Sequence, residues 1–106
     1  MALTRADALK QIDGLVAAIV TELDAVRDAT NPEDQAAAFG RAVAYVLPLR
    51  VAISDGRAGS VVRALDRGAS VRGLAARLEL SRGMVQQLQH RGRADERNGS
   101  EARAEH

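Results

Sequence analysis

The stretch Ser70-Val71-Arg72-Gly73-Leu74-Ala75-Ala76-Arg77-Leu78-Glu79-Leu80-Ser81-Arg82-Gly83-Met84-Val85-Gln86-Gln87-Leu88 decides the fold. Ser70 and Ser81 each stand just ahead of an apolar-periodic run, where a hydroxyl accepts an orphan N–H of the first helical turn. The spacing predicts one helix over 71–78 and a second from Arg82 to His90 or Arg91, with only Glu79 and Leu80 between the first helix and the second cap. Two short helices that cross steeply need a small residue where their backbones meet, and Ala75 is that residue. They also need a shared apolar core, expected from Leu74, Leu78, Leu80, Val85 and Leu88. The second helix then turns its polar groups outward. A helical pair that packs and reads nothing is the plain alternative.

Taken together, these residues resemble a helix-turn-helix DNA-binding motif. Glu79 departs from the pattern, because many members place glycine there to reach a left-handed backbone without strain. The phrase from Leu80 to Leu88 is similar to the recognition helix of small actinobacterial helix-turn-helix proteins related to the DNA-reading C-terminal domain of sigma factors. Such proteins also carry an Ala/Arg-rich helical region ahead of the motif. The resemblance covers about residues 60–91 at motif level and is only compositional over residues 1–53. It implies a DNA-binding regulator and not a complete sigma factor, since 106 residues leave no clear room for a polymerase-binding domain.

Position and residue type assign roles on that motif. Arg82, Gln86 and Gln87 lie at the exposed start and middle of the second helix; Arg suits guanine and Gln suits adenine in the major groove. Ser81, Arg72, Arg77, Arg91 and Arg93 are expected on phosphates.

Outward from the motif, the chain reads as helical throughout its N-terminal half. Thr4 caps a helix expected to reach about Thr30, and Leu9, Ile12, Val16, Ile19, Leu23 and Val26 recur along it at alternating spacings of three and four. Asn31-Pro32-Glu33-Asp34 is a second start signal, with a capping Asn, a Pro at the first helical position and two acids in the positive first turn. Phe39, Val43 and Val46 continue the periodicity, so the two helices are expected to form an antiparallel hairpin. Pro48 is expected to kink or restart the second helix. Two Gly and two Ser within Ser54-Asp55-Gly56-Arg57-Ala58-Gly59-Ser60 predict a flexible break over 54–59. Val61, Val62 and Leu65 then resume a helix that ends at Gly68, and residues 94–106, polar and without period, are expected to be disordered.

Charge and composition bound the function. Residues 1–53 hold five basic and seven acidic groups, whereas residues 54–93 hold eight Arg against three acids, so only the later segment attracts polyanions. Cysteine is absent and the two histidines are His90 and His106, which removes disulfides, thiolate nucleophiles and histidine metal cages. Asp55 and Asp66 have no catalytic companion in the sequence. No apolar run approaches the roughly 18 residues of a membrane span and the N-terminus lacks a signal-peptide layout, so a cytoplasmic protein with no membrane partner is expected.

Alanine makes up 21 of the residues, against 25 Leu, Ile, Val and Phe together, so the core is small and a partner that buries more surface is favoured. The expectation is therefore an all-α, non-enzymatic protein without cofactor or metal. It comprises an N-terminal helical hairpin (1–53), a break (54–59), a helix-turn-helix unit (60–93) and a tail (94–106). It binds double-stranded DNA as a homodimer through the stripe from Leu9 to Val26, with RNA polymerase as a further candidate partner. The rival reading is a protein-interaction module, polymerase-associated or antagonist-type, whose C-terminal helices are only structural.

Overall fold

The computed structural model describes residues 5–104, with side chains through Ala94. It contains four helices and no strand among the described residues: α1 (Arg5–Asp28), α2 (Pro32–Asp66), α3 (Val71–Leu78) and α4 (Arg82–Ala104). Contacts divide it into two compact units, one of residues 5–53 and one from Ser54 onward. The protein is all-α.

In the first unit, α2 starts as its sequence directs. Asp34 N–H donates to Asn31 Oδ1 at 2.8 Å, and the Asn31 amide donates to the Asp34 carboxylate at 2.9 Å, so cap and acid satisfy each other. The proposed cap of α1, Thr4, lies outside the described residues. Arg41 Nε on α2 donates to Glu22 Oε2 on α1 at 2.6 Å. The buried residues of this unit are alanines, Ala38, Ala42 and Ala52, and no residue of α1 is buried. Phe39, Val43 and Val46, the face expected to pack, are exposed instead, together with Leu47. A helix covered on its alanine side lets backbones approach closely, and the larger residues about 100° or more around it are left outside. On α1 the same rotation leaves Leu9 and Val16 exposed while Ile12, Ile19, Leu23 and Val26 are partly covered.

The expected interruption of α2 does not occur. Pro48 lies within the helix, and residues 54–59 are helical. Gly56 and Gly59 each cost about 1 kcal/mol relative to Ala in a helix, but Ala58, Val61 and Val62 beside them are buried at helical spacing, and that burial outweighs local propensity. An 18-residue window of α2 is long and apolar enough to cross a membrane, because between Asp34 and Asp55 the only charges are Arg41 and Arg50. The expectation that no apolar run approaches a membrane span does not hold for this helix.

The second unit is built on the C-terminal part of α2. Ala58, Val61, Ala75, Val85 and Leu88 form its buried cluster, flanked by Leu65, Val71, Leu74 and Leu80. Leu78, expected in this core, is exposed: α3 ends there, and its side chain falls off the buried face. α2 closes as foreseen at Gly68, whose φ of 103° is left-handed; Ala69 N–H reaches Ala64 O and Gly68 N–H reaches Leu65 O, both at 3.0 Å. Gly92 of α4 is buried against Ala58 and Val62 of α2. α4 does not stop near Arg91 but continues to Ala104, so residues 94–104, expected to be disordered, are helical. Glu105 and His106 lie outside the described residues.

Candidate nucleic-acid interface

Each end of α3 is fixed by a specific group. Gly73 N–H donates to Ser70 Oγ at 2.9 Å at its start. At its end Glu79 takes φ 56° and ψ 40°, the only non-glycine with positive φ among the described residues. Leu80 N–H reaches Ala75 O at 2.9 Å and Glu79 N–H reaches Ala76 O at 3.3 Å, the two crossed hydrogen bonds of a Schellman closure. The closure turns the chain within three residues, delivers Leu80 to the apolar cluster, and leaves Ser81 to accept from Met84 N–H at 3.1 Å as the cap of α4. Ala75 is buried, and α3 contacts α4. The residue that departs from the motif thus performs the glycine's conformational task, at a cost of about 1–2 kcal/mol for an L-residue.

Val85, Leu88 and Gly92 mark the buried side of α4. On the opposite side Arg82, Gly83, Gln86, Gln87 and His90 are all exposed and share one face at spacings of one, three and four. The three residues expected at base edges are therefore together. His90 and Gly83 join them, and the i, i+4, i+8 series from Arg82 through Gln86 to His90 is the signal that would have found the histidine. It sits in mid-helix, since α4 does not close at His90 or Arg91 as expected but runs on to Ala104. Gln86, Gln89, His90 and Arg93 also line a shallow depression along one flank of this face.

The basic groups divide into two sets. Ser81, Arg72 and Arg77 are exposed, and Arg72, Arg77 and Arg82 form no ion pair among the described residues. Arg91, by contrast, pairs with Asp55 and donates from Nη1 to Ser54 Oγ at 2.9 Å; Arg93 Nη2 donates to Asp66 Oδ1 at 2.5 Å. Both pairs tie α4 to α2 and engage the guanidinium groups that the sequence reading expects on phosphates. Those same pairings supply the partners of Asp55 and Asp66. The Arg93 hydrogen bond holds the Asp66 carboxyl below its ordinary value of 3.8, against an opposing desolvation and with a lesser contribution from the Arg93 charge.

The helix starts differ in the same sense. α1 and α2 carry Asp7, or Glu33 and Asp34, in their first turns; α3 and α4 carry no acid there and have Arg72 and Arg82 instead. A cation in the first turn opposes the helix dipole, and an arriving anion relieves that opposition.

No protein-family model, no curated protein and no solved structure matches this chain.

Proposed function

We propose that this chain is a sequence-specific double-stranded DNA-binding protein, a cytoplasmic transcriptional regulator without catalytic activity, in which α3 and α4 form a helix-turn-helix following a helical hairpin of α1 and α2. The observation that carries the reading is the exposed α4 face of Arg82, Gln86, Gln87 and His90, presented by a buried Ala75 crossing and a left-handed turn at Glu79. Arg82 and the glutamines reach base edges, while Ser81, Arg72 and Arg77 hold phosphates. Dimerisation places two such helices about 34 Å apart on successive turns of one DNA face.

The test is a polarisation titration of the full chain against genomic duplex fragments at two salt concentrations. Preference for particular fragments, with affinity falling steeply as salt rises, is the expected result. Equal, salt-insensitive binding to all duplexes, or none, refutes it.

One observation favours a second reading, the protein-interaction module. Two of the expected phosphate ligands are occupied within the chain, whereas the exposed apolar side chains of α2 remain uncovered. Retention of a polymerase subunit without any duplex binding would support it.

A further inference from the structure

α2 is apolar on two sides. Its buried side is Ala38, Ala42 and Ala52; its exposed side carries Phe39, Val43, Val46 and Leu47 at 52%, 67%, 53% and 66% exposure, with Val51 beyond them. A helix that is apolar all round is one that gets covered all round. The exposed patch is centred at the level of Tyr45 and amounts to roughly 500 Å² per chain, counting about half to two-thirds of each side chain.

We infer that a second copy of this chain covers that patch, α2 packing antiparallel on α2 about a two-fold axis level with Tyr45. Three features select this occupant. Two-fold pairing doubles the covered area to about 1,000 Å², the size at which specific interfaces begin. The face is also self-complementary in that register: Val43 meets the second copy's Leu47, Phe39 meets its Val51, and Gly40 leaves room for its Arg50, whose guanidinium then lies near the Phe39 ring. Finally, Arg50 is the one charge on the patch; the antiparallel register sets the two Arg50 residues about 15 Å apart along the axis, whereas a parallel register places them side by side. Against a lipid occupant, α2 lacks the basic, solvated opposite face of a surface-lying helix, since that side is its buried alanine side.

The interface is thus α2, and not the α1 stripe from Leu9 to Val26, most of which is already partly covered. It stands apart from the DNA reading: a dimer that ignores DNA refutes only that reading, and a monomer that binds DNA refutes only this interface.

Sedimentation equilibrium of the full chain at about 50 µM tests it. The wild type sediments as a dimer, and Val43→Glu with Leu47→Glu weakens association about 100-fold while the helical circular dichroism stays unchanged. Because the chain has no cysteine, Val43→Cys with Leu47→Cys gives an independent readout that does not depend on the charged variant folding: mild oxidation links it into a covalent dimer. A monomeric wild type overturns the inference, as does a dimer that survives the glutamates, a double cysteine that stays unlinked, or a monomer that partitions onto vesicles of anionic lipid.

Discussion

Replacing Gly92 by alanine probes the junction that positions α4. A Cβ at this position would stand 2.6 Å from Val62 Cγ2 and 2.8 Å from the carbonyl oxygen of Ala58. Neither yields cheaply, because Val62 is fully buried and the carbonyl belongs to the backbone of α2. Overpacking of this kind costs about 1–3 kcal/mol, and the better helix propensity of alanine returns about 1 kcal/mol, so the net loss is about 1–2 kcal/mol. At roughly 4–8 °C per kcal/mol for a domain of this size, Gly92→Ala melts clearly below wild type in far-UV circular dichroism. Gly14 and Gly83 are internal controls. A Cβ meets nothing within 4 Å at Gly14 and only Ser81 Oγ at 3.9 Å at Gly83, so alanine there raises the melting temperature or leaves it level. If Gly92→Ala is as stable as wild type while Gly14→Ala behaves as expected, α4 does not cross α2 at Ala58 and the placement of the whole exposed face is wrong.

Other consequences can be read from single side chains. Glu79→Gly relieves the left-handed strain and stabilises by about 0.5–1 kcal/mol net of the added freedom of the unfolded chain, whereas Glu79→Val destabilises; chemical denaturation separates the two. Ser81→Ala costs about 1 kcal/mol through loss of the α4 cap, and Ala75→Leu or Ala75→Glu lowers both the melting temperature and duplex affinity. Arg82→Ala and Gln86→Ala each remove about 1–3 kcal/mol of discrimination between duplexes, while Arg77→Ala weakens all duplexes alike and flattens the salt slope; competition titrations with altered sequences distinguish these outcomes. Because Asp66 has a lowered pKa in the folded chain, its pairing with Arg93 contributes stability above pH 3.8 that disappears as pH falls through the lowered value. The melting difference between wild type and Asp66→Asn therefore begins to shrink only below about pH 4 and vanishes once the pH lies below the lowered value; a difference that does not vary with pH argues against the pair.

Helix starts were legible because they are local. Asn31, Ser70 and Ser81 each sit beside the N–H they bond, so identity and spacing suffice. The C-terminal closure at Gly68 was equally direct, and that at Glu79 was legible as a conformational demand even though the residue contradicted it. What the residues did not show was which face of α2 would be covered. Ranking by hydrophobicity favours Phe39, Val43 and Val46; close approach of backbones favours Ala38 and Ala42, and the second criterion governs. The same competition hid the continuity of α2, where Gly56, Gly59 and Pro48 read as breakers, while the apolar cluster around Ala58 and Val61 imposes the helix.

The arginines of residues 54–93 present the harder case, because composition treats all eight alike. Only the packing of α4 on α2 sorts them. Arg91 follows His90 by one residue, yet it lies about 100° farther round the helix, within reach of Asp55, and Arg93 reaches Asp66. The next helical turn after His90 is thereby engaged in holding α4 in place, while Arg57, Arg63, Arg67, Arg72, Arg77 and Arg82 are exposed and form no ion pair among the described residues. On the DNA-binding reading, these cations supply the salt-dependent attraction and discrimination falls to Arg82, Gln86, Gln87 and His90. Neutralising Asp55 and Asp66 together would release two more arginines. If the sorting is right, Asp55→Asn with Asp66→Asn steepens the salt dependence of duplex binding while weakening the fold, two effects that the wild-type pairs hold in opposition.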